Sequence, residues 1–174
     1  MSLEPKFLVL DEPTSSLDVS VQAKLIALLE RLQDELGLTY LFITHNLRLV
    51  RSIASKVGVM YLEKLVEASP TAELFQNPGH SFTQALLSEI AALTEAEEKP
   101  KPSKTELEGE IPSPTDAPSG CVFRTRCRFA MEVCKTTLPV QTEVNEGHVV
   151  ACHLYPRKSK SVPASSVATS AAIA

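Results

Sequence analysis

The sequence predicts an α/β fold, a largely parallel sheet covered by helices, and three observations predict it. "FLVL", Phe7 to Leu10, and "TYLFIT", Thr39 to Thr44, are short runs apolar on both faces, as in parallel strands covered on each side. Between them, residues 19–36 place Leu25, Leu28, Leu29, Leu32 and Leu36 on one stripe at helical spacing. The alternation of strand and helix then continues to about residue 93.

Each element has its own signal. Gly37 stops the first helix, where a left-handed residue is needed. Asn46 is placed to cap a helix over 47–54. Residues 57–62 and 65–68 read as strands joined tightly at Glu63-Lys64, 71–75 as a helical turn, and 82–93 as an amphipathic helix.

The composition then shifts, and four segments result. Residues 1–93 form the α/β part. Residues 94–113 read as a linker, because nine of the 17 residues from Glu95 to Ile111 are charged and two are proline. Residues 114–156 hold all four cysteines, and 157–174 read as a disordered Ser/Ala/Val-rich tail.

With 174 residues the chain suits one core plus an appendage. Seventeen basic against 21 acidic residues give a net charge of -4, leaving no basic excess for nucleic acid. No apolar run reaches the roughly 20 residues needed to span a bilayer, and the first residues lack the pattern of a signal peptide. The thiols are therefore expected to be cytosolic and reduced.

"FLVLDEPTSSLD" carries the chemistry. Asp11 and Glu12 fall at the carboxyl end of a parallel strand, facing the crevice where α/β sheets bind ligands. There one carboxylate can hold Mg²⁺ through water while the next aligns or deprotonates an attacking water. Alternatively the two acids merely end a strand and cap the next segment. His45, at the end of the next strand, can touch a γ-phosphate, although a lone histidine there is commonly structural.

Taken together, "LDEPTSSLD" and "LFITHN" resemble the second half of the nucleotide-binding domain of ABC transporters, a partial P-loop NTPase fold. The resemblance implies ATP and Mg²⁺ as ligands. Asp11 would hold the metal through water, Glu12 would act as general base, Ser15 to Asp18 would form the D-loop, and His45 would be the switch histidine. "LGLTYLFITHNLRLVRSIASKVGVMYLEKLVE", "ELFQNPGHSFTQALLSEI" and "PSGCVFRTRCRFAMEVC" narrow the resemblance to the peptide-import branch, the dipeptide, oligopeptide and nickel importers. The partners this implies are a second ABC ATPase subunit, membrane permeases and, indirectly, a peptide-binding protein. The implied location is the cytoplasmic face of a bacterial or archaeal membrane. The transported substrate is chosen by other subunits.

The departures are Ser16 in the D-loop, Asn46 after the histidine, Ser81 after His80, and Glu63 at a turn position where glycine is usual. The larger departure is an absence. No GxxxxGK[ST] loop, glutamine loop or LSGGQ-like signature occurs, so the chain alone is expected to hydrolyse ATP negligibly. In the family's sheet the phosphate-loop strand lies between the His45 strand and the Val57 strand. A gap is expected there, with apolar surface on "FLVL" and "YLFI" left uncovered.

Cys121, Cys127, Cys134 and Cys152 are spaced x5, x6 and x17, which matches neither a zinc ribbon nor a ferredoxin run. Spacing alone leaves a metal site and four unrelated thiols equally open. The family resemblance favours a [4Fe–4S] cluster over Zn²⁺, with Arg124 and Arg126 offsetting its charge and His153 a candidate neighbour. The alternative for the whole chain is a non-enzymatic remnant whose cysteine-rich extension acts as a metal-stapled docking module.

Overall fold

In a computed structural model, residues 5–93, 112–113, 116–155 and 171–173 are described. The charged linker, except for 112–113, and the tail up to residue 170 lie outside them.

The first part follows the sequence closely. Strand β1 (Phe7–Asp11) leads to helix α1 (Val19–Leu36), β2 (Thr39–Ile43), α2 (Leu47–Ile53), β3 (Lys56–Tyr61), β4 (Lys64–Pro70), α3 (Thr71–Gln76) and α4 (Ser81–Leu93). Gly37 caps α1 in the left-handed conformation, its N–H bonded to the Gln33 carbonyl. The Asn46 side chain caps α2 by accepting from the Leu49 N–H at 3.2 Å. In the second part, α5 (Val133–Thr136), β5 (Gln141–Asn145) and β6 (His148–Ala151) precede a last strand, β7 (Ala171–Ile173).

The strands form one seven-stranded sheet in the order β1-β2-β7-β3-β4-β6-β5. It is mixed rather than parallel. β1, β2, β7 and β3 run parallel, while β4, β6 and β5 pair antiparallel. The physical reason is the two-residue turn between β3 and β4, which can join only antiparallel neighbours. That turn uses Leu62 and Glu63, both at positive φ (44° and 61°), one residue earlier than the sequence suggests. Glu63→Gly relieves an L-residue held left-handed. It is expected to raise stability by about 1 kcal/mol in a denaturation curve.

Two expectations change at the tail and the extension. The segment read as a disordered tail contributes β7, which occupies the position where a gap was expected. The cysteine-rich segment does not form a separate unit either. Its β5 and β6 extend the sheet, and Cys121, Val122, Phe123 and Cys134 join Phe42, Val50, Val57, Val59, Tyr61, Val66 and Leu74 in one core. A segment this small cannot bury a core alone, so it shares one.

The core centres on β3 and β4, where successive residues are buried and both faces of the sheet are covered. One face of β1 stays open, with Phe7 53% and Val9 55% exposed. Helix α1 packs only lightly. Ile26 and Leu29 touch the core, whereas Leu28 and Leu36, assigned to the buried stripe from spacing, are exposed. Uncovered apolar surface is thus present on "FLVL", so β1 is not buried on both faces, whereas "YLFI" is half-buried with Phe42 fully buried, contrary to expectation.

Candidate functional site

β1 and β2 pair in register from Phe7↔Thr39 to Asp11↔Ile43, so their carboxyl ends meet at one rim. The chain leaves β1 through Glu12 at a φ of 44°, with the Glu12 N–H bonded to the Ile43 carbonyl at 2.9 Å. A non-glycine residue in the left-handed region is costly unless its surroundings fix it. They do. The Glu12 carbonyl accepts from the Ser15 hydroxyl at 3.0 Å, and the Gln22 amide donates to the Thr14 and Leu17 carbonyls at 3.0 and 2.9 Å, tying the loop to α1.

His45 is positioned from the other strand. The Asn46 N–H donates to the buried Thr44 hydroxyl at 3.1 Å, while Asn46 itself caps α2. Held between these two anchors, the imidazole places Nδ1 2.9 Å from Glu12 Oε1. Glu12 Oε2 is buried and has no hydrogen-bond partner among the described residues. A buried acceptor left unmade costs about 1–3 kcal/mol, so this oxygen is poised for a donor. Asp11 stands beside it, exposed at the rim.

Of the residues singled out from sequence, Asp11, Glu12, Ser15 and His45 are thus gathered at one rim. Asp18 has a local role. Its carboxylate caps α1, accepting from the Ser20 hydroxyl at 2.7 Å and the Val21 N–H at 2.9 Å, and these two bonds hold its pKa below the usual carboxylate value.

The four cysteines are all free thiols, with Cys121 and Cys134 buried and Cys127 and Cys152 half-buried. They share a neighbourhood. The Cys121 N–H bonds the Cys134 carbonyl at 2.9 Å, and Cys127 Sγ lies 3.4 Å from the Ser81 hydroxyl of α4. Burial pushes the Cys121 and Cys152 thiols up, and the other cysteines push the same way electrostatically. The buried Arg126 Nε, one residue before Cys127, has no hydrogen-bond partner among the described residues. A cavity of about 220 Å³ lies against Cys121 and His80. Among the described residues, however, no three His, Cys, Asp or Glu side chains are gathered as a metal-binding group. Arg124 donates to the Ser119 carbonyl, and the His153 ring donates to the Thr137 carbonyl at 2.9 Å rather than approaching a thiol.

Gly120 makes this segment possible. It sits at φ 68°, and a Cβ there would collide with the Cys134 carbonyl oxygen and lie 2.9 Å from the Lys135 carbonyl carbon. Gly120→Ala is expected to cost on the order of 3 kcal/mol, read as a lowered denaturation midpoint.

Sequence reading missed a second polar cluster. Glu67 is 1% exposed, and its carboxylate accepts from the Gly79 N–H at 2.7 Å and the His80 N–H at 2.9 Å, next to the start of α4. His148 Nε2 donates to the same carboxylate at 2.7 Å, and its Nδ1 stands 3.7 Å from Glu73 Oε1. Asn145 reaches Glu73 at 2.9 Å, and the Tyr155 hydroxyl donates to the Gly79 carbonyl. These bonds fasten 141–155 to 67–80. The available signal was a lone acid inside an otherwise apolar strand, "LVEAS".

With this geometry established, comparison with known proteins supplies the class. Residues 66–134 match the family described as "Oligopeptide/dipeptide transporter, C-terminal region". Over these residues the chain is similar to the C-terminal region of that transporter family. Among individual relatives, it is 49% identical over 155 residues to the oligopeptide transport ATP-binding protein AppF of Bacillus subtilis, covering 89% of this chain and 47% of the relative. The YkfD protein of the same organism, provisionally named for oligopeptide transport, is 50% identical over 155 residues with the same coverage. A Brucella ovis protein provisionally named for peptide import is 48% identical over 156 residues, covering 87% of this chain and 47% of the relative. The chain therefore spans about half the length of the curated relatives it matches. Among the described residues, no helix is long and apolar enough to cross a membrane.

Proposed function

We propose that this chain supplies the carboxylate half of an ATP-hydrolysing site in the energising subunit of an ABC-type peptide importer. The observation that carries this reading is Glu12: one oxygen is held by His45 while the other is buried and unpartnered among the described residues, at a strand end beside Asp11. That is the arrangement a general base needs. His45 fixes the carboxylate's orientation, and Oε2 is left to accept a proton from water. Asp11 would hold Mg²⁺ through water, as the P-loop resemblance implies. Bound Mg²⁺ would supply charge neutralisation at the phosphates. Ser15 and Asp18 would present the loop to a second ATPase subunit, and closure of that pair would be passed to membrane permeases at the cytoplasmic face. The name of AppF, an oligopeptide transport ATP-binding protein, supports this reading.

The cysteine segment is assigned in the same proposal as a holder of a soft metal, a [4Fe–4S] cluster ahead of Zn²⁺, through Cys121, Cys127, Cys134 and Cys152. The donor set fits in kind. Four free thiols share one segment, and the orphaned Arg126 Nε is a donor suited to an anionic group. Its role would be structural. The remnant reading, an autonomous docking module, is disfavoured because the segment shares the core of the first part.

The test is reconstitution. The chain is co-expressed with the half of AppF that it does not cover, and MgATP turnover is measured for the pair and for each part. Turnover by the pair alone supports the proposal. A stable pair that binds MgATP but never hydrolyses it defeats it. Metal and acid-labile sulfide content after anaerobic purification decides between cluster, zinc and free thiols.

A further inference from the structure

The cavity of about 220 Å³ lies at the joint between the two parts of the chain. Lys64–Val66 of β4 and His80, just before α4, form one wall; Val122, Leu138, Gln141 and Ala151 form the other. Of the four cysteines only Cys121 borders it, so it is not the space between the thiols. None of Asp11, Glu12 and His45 lines it either, and what it binds is independent of any hydrolysis at their rim.

We propose that this cavity is a binding site for a small, branched aliphatic monocarboxylate. Its carboxylate would meet the His80 ring N–H and the Lys64 ammonium, and its hydrocarbon body would lie against Leu65, Val66, Val122 and Ala151. Three observations carry the inference. First, His80 is a fixed and uncommitted donor. It is 2% exposed; its backbone N–H bonds Glu67, its Nδ1 accepts from the Phe82 N–H at 3.1 Å, and its ring centre lies 5.6 Å from that of Phe123. Because Nδ1 accepts, the ring hydrogen sits on Nε2. No described residue accepts from it. A buried donor left unmade is unfavourable, and a ligand oxygen removes that deficit. Second, Lys64 is exposed at the start of β4 and joins no ion pair among the described residues. Third, the lining is mainly aliphatic and the size fits. A cavity of roughly 150 Å³ holds a benzene ring, so this one has room for a short branched chain and a carboxylate.

The nearby Glu67 carboxylate does not bar an anion, because His148 and the Gly79 and His80 N–H groups already face it. The two walls come from different parts of the chain, so a ligand between them ties the 114–156 segment more firmly to the α/β part. A ligand that binds only the folded chain raises its stability, and occupancy is thereby reported to the joint.

The experiment is calorimetric titration of the full chain with 3-methylbutanoate, and with 3-methylbutanamide as its uncharged counterpart. The carboxylate should bind once per chain with a Kd of about 1 mM or tighter, raise the melting temperature, and bind more tightly than the amide. Lys64→Met, an exposed change that keeps the stem, should weaken carboxylate binding about tenfold and leave amide binding unchanged. Ala151→Leu, which fills the space, should abolish binding of both; should that variant fail to fold, Lys64→Met decides alone. Titration with L-leucine and with 4-methyl-2-oxopentanoate then identifies the source of the carboxylate: tighter binding of the first makes this an amino-acid site, of the second a 2-oxo-acid site, and each supports the proposal. It is overturned if 3-methylbutanoate shows no saturable binding up to about 10 mM, if Lys64→Met binds it as tightly as the wild-type chain, or if the amide binds the wild-type chain equally well.

Discussion

Glu12→Gln, introduced into a reconstituted assembly that hydrolyses ATP, is expected to lower kcat by about 10²–10⁴-fold, the usual weight of a positioned general base. KM for MgATP should change little, because the amide keeps the shape of the side chain and can still accept from His45 through its oxygen. What it loses is the basic atom. In the wild-type chain Oε1 is engaged by His45 at 2.9 Å, and Oε2 is the oxygen left for a proton. His45→Ala should have a smaller effect on kcat, since it frees the orientation of Glu12 without removing the base. Glu12→Gly separates function from stability. It removes a non-glycine residue at φ 44° and should therefore raise the melting temperature while abolishing turnover. If the acids merely ended a strand, Glu12→Gln would leave kcat unchanged, and that result would sink the assignment.

The parts of this molecule that were legible in the sequence are those governed by local rules. The borders of β1, α1, β2 and α2 follow from apolar runs, Gly37 and Asn46, each of which acts within a turn of its own position. The gathering of Glu12 and His45 was legible because two parallel strands in register put their ends together. Long-range pairing was not. That Leu28 faces water while Ile26 faces the core depends on how lightly α1 is covered, which spacing cannot report. Nothing local in "QTEVN" or "HVVA" says that these strands extend a sheet begun far earlier in the chain. Glu67 was missed for the same reason. Its meaning comes from His148, which is distant in sequence and adjacent in space. Asp18 adds a local role that its motif did not announce, since its carboxylate also caps α1.

Glu67 is also where the largest loss of stability is expected. Glu67→Ala strands the His148 ring and the N–H groups of Gly79 and His80 inside the protein without an acceptor. Removing one member of such a buried pair costs about 3–5 kcal/mol, much of a small domain's margin, whereas Glu67→Gln keeps one acceptor and should cost less. The pH dependence arises from the same cluster. Burial pushes the Glu67 carboxyl up, but bonds from His148, with the Thr83 hydroxyl beside it, and from Gly79 and His80 outweigh it and hold the pKa below the ordinary 4.5. Its contribution is therefore present above about pH 4.5 and lost as pH falls through the lower folded value. Glu73, held low by Asn145 and Asn77, adds in the same direction. His80 acts at higher pH. Burial lowers it from 6.5 to about 4, against the pull of Glu67, and its Nδ1 accepts from the Phe82 N–H at 3.1 Å, which requires that nitrogen to be unprotonated. The unfolded chain therefore takes up the proton first, and stability declines as pH drops from 6.5 toward 4, by about 3 kcal/mol in all at 1.36 kcal/mol per unit. His80→Gln should flatten the denaturation-midpoint profile across that interval and leave the steeper fall below pH 4.5 to Glu67. If the variant's profile between pH 6.5 and 4.5 keeps the wild-type slope, the buried neutral imidazole is not the source of the acid sensitivity.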